Sequence, residues 1–217
     1  KPRRYFLFLF LHFFSKTSQS RNALFAIGLY NNSSEYEVIF MMSAQLRELY
    51  LTRQSCRSFS DRPVSKEQIR EICSLAGLAP SACNLQPWQV YAVTGDKLPV
   101  VKALLKARGK APFVDDAPAI LVIAEDTRVS EATNPALSYF APYDAGEFTA
   151  YLVLAAKAAG LDTCILGWHD EPELREKLGL PEGLSVPYVI ALGYASGGYE
   201  TREKIRKAEE EILSFCD

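Results

Sequence analysis

The chain is poor in the residues that most often carry chemistry. It has 217 residues but only two histidines. Its five cysteines, Cys56, Cys73, Cys83, Cys164 and Cys216, are scattered and form no CxxC pair. That odd, dispersed set argues against a zinc site or a disulfide framework and for a reducing, cytoplasmic compartment. There is no G-x-S-x-G, and His169 is the single histidine after residue 41, so no hydrolytic triad is marked. Neither G-x-G-x-x-G nor G-x-x-x-x-G-K-[ST] occurs, which removes sequence support for a Rossmann or P-loop phosphate site. No His and carboxylate cluster has metal spacing. With 24 basic against 26 acidic residues and a net charge of −2, there is no basic stripe for nucleic acid. The apolar run in "RRYFLFLFLHFF" (3–14) is shorter than the roughly 20 residues that span a bilayer, so no membrane partner is expected.

What is present is ordinary globular material, 48% hydrophobic and 23% charged, enough for one sizeable core. The first forty residues stand apart from the rest. Basic residues ahead of an apolar run resemble a signal segment. A genuine N-terminal arm, or translated sequence upstream of a start at Met41 or Met42, are the other two readings. The expected organisation is an extraneous or disordered segment over 1–41 and one domain over 42–217.

From Met42 onward the pattern predicts alternating helices and strands, an α/β or α+β class. Helices are expected over 43–53, 64–80, 96–109, 144–160, 171–179 and 201–215. Strands are expected over 88–95, 117–126, 163–168 and 186–195. Ser65 with Gln68 forms a capping box, Asp96 is read as a helix cap, and Pro99 is tolerated in a first turn. In 43–53, Leu46, Leu49 and Tyr50 share a face. "APAILVIAED" (117–126) reads as a strand covered on both faces. Tyr151 to Ala156 is apolar on every side, so that helix is expected to be buried all round, with a subunit interface as extra cover.

Four patches carry chemistry. In "TRQSCRSF" (52–59), Arg53, Ser55 and Arg57 alternate around Gln54, and period two places them on one face of an extended segment. Two guanidiniums and a hydroxyl suit a phosphate or another oxygen-rich ligand, or else a solvated basic surface. "PSACNLQPW" (80–88) sets Asn84, Gln86 and Trp88 between two prolines. In "GLDTCILGWHD" (160–170), Gly167 lets a flat ligand approach the main chain. Lys204 and Arg206 grip an anion together if 204–206 is extended, and splay apart if it is helical.

In this order and at these separations, the patches resemble the FMN-dependent nitroreductase family over residues 42–215. The matching segments are "RQSCRSF" (53–59), "PSACNLQPW" (80–88), "GLDTCILGW" (160–168), "ALGY" (191–194) and the closing basic pair. The resemblance implies a nitroreductase-like mixed central sheet flanked by helices, in an intertwined homodimer with FMN at the interface. It implies that Arg53, Ser55 and Arg57 reach the phosphate and ribityl oxygens, that Gln54 is among the cofactor-binding residues, and that Arg57 is the best candidate for a charge near the reduced flavin. Pro80, Ser81 and Ala82 would leave room for the ring, often from the other subunit, Asn84 would hydrogen-bond its polar edge, and Gln86 is among the cofactor-binding residues. Leu166 and Gly167 would face N5, and Lys204 and Arg206 would complete the phosphate grip. The helical insertion of longer members is reduced here to about 127–143, so Tyr139, Phe140 and Tyr143 are the expected substrate wall. Ile205 and Arg206 stand where members often carry a proline-containing stretch.

The implied activity is transfer of hydride from NADH or NADPH, through flavin N5, to a nitroaromatic, a quinone or a similar small acceptor. A flavin carrier or sensor without turnover, and a flavin-cleaving or dehalogenating relative on the same scaffold, are the alternatives.

Overall fold

The computed structural model describes the backbone of residues 34–107 and 111–216, with side chains from residue 41 onward. The signal-like run at 3–14 lies outside the described residues. The chain divides into two compact units, Lys1–Leu46 and Arg47–Asp217. Of the first, the described part is the start of helix α1 (Ser34–Thr52), which begins eight residues before the expected boundary at 42. Within α1, Leu46 and Tyr50 are exposed rather than forming a covered stripe.

The second unit is built on four strands, β1 (Trp88–Val93), β2 (Ala119–Asp126), β3 (Asp162–Leu166) and β4 (Leu184–Gly193), in the order β1-β2-β4-β3. All three pairings are antiparallel. A parallel bridge between Ser55 and Thr163 on the β3 edge makes the sheet mixed. β2 is central and buried over its first seven residues, as its unbroken apolar run requires. Its side chains alternate: Ile120 and Val122 enter one core cluster, whereas Ala119, Leu121 and Ile123 enter the other. The β2–β4 register shifts between Ile123 and Glu125. Pro187 lies in the offset on β4, where its missing N–H breaks no ladder bond.

Helices cover both faces. On one side lie α2 (Lys66–Ala76) and α5 (Ala141–Ala158), and on the other α3 (Leu98–Lys106) and α6 (Glu171–Leu178). The capping box of α2 is formed: Gln68 N donates to Ser65 Oγ at 3.1 Å and Ser65 N to Gln68 Oε1 at 3.0 Å. Ile69, Ile72 and Ala76 make its buried stripe. A short helix α4 (Thr127–Thr133) and a 3-10 turn (Pro135–Phe140) fill the reduced insertion.

Three expectations are corrected. Asp96 does not cap α3; it lies inside a 3-10 turn (Gly95–Lys97), and Lys97 precedes the helix without a side-chain cap. Helix α5 is not buried all round within one chain. Leu152 and Ala156 are fully buried and Val153 nearly so, but Tyr151 is 45% exposed. The reason is packing geometry: among the described residues α5 packs chiefly on α2, the sheet and the turn Pro135–Phe140, which leaves Tyr151 on the outward face, where a subunit interface is the expected cover. Residues 201–215 do not form a helix; 201–208 are non-helical and only Glu209–Glu211 makes a 3-10 turn. Helices in proteins gain most of their stability by packing an apolar face. Ile205 and Phe215 are more than four-fifths exposed here, so no such face is buried.

Candidate functional site: a cationic cleft and a strained loop

The segment after α1 runs beside β3. Cys56 N donates to Thr163 O at 2.8 Å, and further along Ser60 N donates to Tyr194 O at 2.9 Å and Ser196 N to Ser58 O at 3.0 Å. This pairing holds 53–59 extended, and the expected alternation follows. Gln54 and Cys56 are buried, whereas Arg53, Ser55 and Arg57 line an open cleft of about 250 Å³. The opposite wall is the C-terminal tail, with Arg202, Glu203, Lys204 and Arg206. The non-helical path of 204–206 therefore brings Lys204 and Arg206 together, the first of the two alternatives above.

Five cations and one carboxylate line this cleft, and among the described residues no ion pair neutralises any of the five. Lys204 Nζ donates to the carbonyl oxygen of Arg53. Burial, and then the nearby charges of Arg53, Arg206 and Arg202, hold its ammonium below the ordinary lysine range. Unpaired cations kept this close are repelled by one another and attract an anion. The thiols beneath behave differently: burial pushes both Cys56 and Cys164 up, so they stay protonated hydrophobic groups.

The loop 80–88 is the second feature. Cys83, Asn84 and Gln86 all lie in the left-handed region, with φ of 51°, 56° and 50°. Asn tolerates that region, while each of the others costs of order 1–2 kcal/mol there. The strain is held by a dense local network. Gln86 N donates to Ser81 Oγ at 3.0 Å, and Gln86 Nε2 donates to Asn84 Oδ1 at 3.1 Å. Asp144, buried in the first turn of α5, accepts from Ala82 N at 3.1 Å. Pro87 is buried, its carbonyl accepts from Asp126 N at 3.0 Å, and Trp88 stacks on Phe148 at 5.1 Å. Backbone strain over-determined in this way is characteristic of functional loops.

The cleft brings together Arg53, Gln54, Ser55, Arg57, Lys204 and Arg206 within one chain. Pro80, Ser81, Ala82, Asn84 and Gln86 do not line it, nor do Leu166 and Gly167. Tyr139, Phe140 and Tyr143 form an exposed aromatic group of their own, with the two tyrosine hydroxyls 3.1 Å apart. A Cβ at Gly167 would meet nothing within 4 Å, so this backbone lies open to approach. His169 rests its Nε2 on the carbonyl of Val186 at 2.8 Å and takes no part in the cleft. Arg202 and Asp144 were missed. Arg202 sat in what reads as a charged helix, and Asp144 in an apolar one; neither had a local signal.

Two helical layers on a sheet, with a cationic cleft beside β3, define an α+β domain. Residues 50–194 match the model of the nitroreductase family, and the chain belongs to that family. Among its relatives is a protein of Archaeoglobus fulgidus named as an NADH dehydrogenase/NAD(P)H nitroreductase. The two are 34% identical over 162 residues, 70% of this chain and 86% of the relative. A nitroreductase family protein of Streptococcus pneumoniae TIGR4 shares the fold, with a TM-score of 0.70 at 22% identity over 78% of this chain and 99% of that one. So does an FMN-dependent nitroreductase of Clostridium difficile R20291, with a TM-score of 0.64 at 23% identity over 78% of this chain and 98% of that one. The chain is therefore a nitroreductase-family oxidoreductase, and among its described residues no helix is long and apolar enough to cross a membrane.

Proposed function

We propose that this chain is an FMN-dependent oxidoreductase that passes hydride from NADH or NADPH to a nitroaromatic, a quinone or a similar small acceptor, and that it works as a homodimer. The observation that carries the reading is the cationic cleft, whose donor set matches a phosphate monoester. Bound there, FMN supplies hydride acceptance and donation at N5, chemistry that the side chains of this chain lack.

The protein's own part is binding and electrostatics. Arg53 and Arg57 offer forked donors that suit phosphate oxygens, and Lys204 and Arg206 add charge from the opposite wall. Ser55 adds a neutral donor. Arg57, exposed at the rim, is placed to favour negative charge that develops on a neighbouring ring system. The nicotinamide needs no dinucleotide-binding fold if it stacks on the open side of the flavin; Tyr139, Phe140 and Tyr143, which lie outside the cleft in one chain, are the candidates for an aromatic wall there.

The homodimer is supported by a division of labour. In one chain the strained loop and the cationic cleft do not line a common cavity. A second copy that brings its loop Pro80–Gln86 and its Gly167 region to the cleft would complete a flavin site. The outward face of α5 is the natural cover. Leu152 is fully buried in one chain, so a charge there breaks the core; Leu154, only partly buried, is the position that reports on assembly. Leu154→Asp is expected to yield monomers that have lost FMN, read by sedimentation together with flavin absorbance. The reading as a whole is tested by purifying the protein, titrating it with FMN, and following NADH and NADPH oxidation with a nitroaromatic and a quinone. A folded protein that takes up no FMN overturns it.

A further inference from the structure

Gln54 lines the cleft, yet both the oxygen and the nitrogen of its carboxamide are bonded to the tail. Its side chain is buried, 7% exposed, and both ends are engaged by the tail. Gln54 Nε2 donates to Glu200 O at 3.0 Å. Gln54 Oε1 accepts from Arg202 N and from Arg202 Nε, each at 3.1 Å. Arg202 Nη2 then donates to Ser55 O at 2.6 Å. Three groups of one distant segment, Glu200 O, Arg202 N and Arg202 Nε, close on this buried amide. A buried carboxamide with both ends satisfied is costly to disturb, since either half left alone loses its partner in a place water reaches poorly.

We infer that Gln54 and Arg202 are positioning residues that form a clasp, and that the clasp docks the cationic tail on the anion cleft. Lys204 and Arg206 follow Arg202 directly. They line the cleft because residues 200 and 202 are pinned, since no helix and no strand pairing holds this stretch. The other described tethers are Lys204 Nζ on Arg53 O and, just before the stretch, the Tyr199 hydroxyl, which accepts from Arg57 N at 3.0 Å and donates to Ser55 O at 3.4 Å. Arg202 thus contributes to anion binding through geometry, with its guanidinium already committed to Gln54 and Ser55. The inference deepens the flavin reading and rests on it for the identity of the anion, but the clasp itself is observable without any ligand.

The test uses the full chain and trypsin, for which Arg202 and Lys204 are themselves cleavage sites. Cleavage after each is followed by mass spectrometry, without ligand and with saturating FMN, beside FMN titration of the same proteins. Gln54→Ala is expected to speed ligand-free cleavage after Arg202 about tenfold and to weaken FMN binding about tenfold, because loss of the clasp frees the tail before any ligand arrives. Arg202→Ala, a change at an exposed side chain, carries the test through cleavage after Lys204 if the first variant does not fold. Gln54→Glu separates positioning from ligation. It keeps the acceptor for Arg202 but sets a carboxylate oxygen against Glu200 O, so tail cleavage is expected between that of wild type and of Gln54→Ala, while its added negative charge lowers FMN affinity about tenfold.

Unchanged cleavage in both Gln54→Ala and Arg202→Ala overturns the inference. So does a Gln54→Ala protein that loses FMN affinity with its tail still protected, which makes Gln54 a direct ligand. A wild-type protein that binds no FMN, with tail cleavage still accelerated in the variants, leaves the clasp standing and removes the flavin reading.

Discussion

The two walls of the cleft, 53–59 and 199–206, carry the same kind of side chain but are held by different forces. The first is fastened by main-chain bonds to β3 and to the segment after β4, from Cys56 N on Thr163 O to Ser60 N on Tyr194 O. Its Phe59 is buried in the core. The second is fastened chiefly by side chains, Gln54, Arg202 and Lys204, and its own Ile205 is 86% exposed. Main-chain pairing persists through most substitutions, because every residue but proline offers the same groups. Side-chain fastening depends on residue identity. Changes to the first wall should therefore act through core stability or direct contact, and changes to the second through order.

The largest effect is expected from Gly193→Ala. A Cβ there would lie 2.5 Å from Pro118 Cδ and 3.0 Å from Phe59 Cδ1, so the ring that anchors the first wall has to move. A loss of about 1–3 kcal/mol in denaturant unfolding, with weaker anion binding, is expected. Unchanged stability would mean that Phe59 anchors nothing. Next is Arg53→Ala, which removes a charge-assisted contact worth roughly 1.5–3 kcal/mol, against about 1 kcal/mol for Ser55→Ala. FMN titration of the two apo variants ranks them, and equal affinities would take Arg53 out of the phosphate contact.

A pH effect follows from Lys204. Its folded pKa lies below the ordinary value of 10.5, so the unfolded chain binds more protons between the two. Stability of the ligand-free protein in chloride should then rise as pH climbs through that window towards 10.5, and Lys204→Met should flatten the rise. Inorganic phosphate should raise the melting temperature of the same ligand-free protein at neutral pH, because an anion that binds only the folded cleft stabilises it by mass action. The smallest effect is expected at the exposed edge of the second wall: Ile205→Ala should shift stability by less than about 0.5 kcal/mol. A larger loss in the dimer than in a Leu154→Asp monomer would show that Ile205 is covered by the second copy.

The regular elements were legible where pattern and packing agree. The β2 run, the α2 capping box and the period-two face of 53–57 all needed only local chemistry. Two of the three departures share one cause, which is that their outcome depends on surfaces far away in the chain. The outward face of α5 is apolar in sequence but is left partly exposed among the described residues, whereas Asp96 yielded locally, to a 3-10 turn that starts α3 one step later. Residues 201–215 have the composition of a charged helix, yet bonds to Gln54 and Ser55, nearly 150 positions earlier, hold the start of the segment in another path.

By itself, then, the order of residues determined the family, the strand periods and the choice of cationic side chains, because these rest on local spacing and on which groups bind phosphate. The tertiary structure alone decided that Gln54 faces the tail, that Arg202 belongs to the cleft, and that Cys83 and Gln86 sit with positive φ. The physical reason is the same in each case. The buried amide and the tail cation are held by partners that the fold delivers from elsewhere, and the strained loop, though Ser81 and Asn84 brace it locally, is closed by Asp144 from a distant helix.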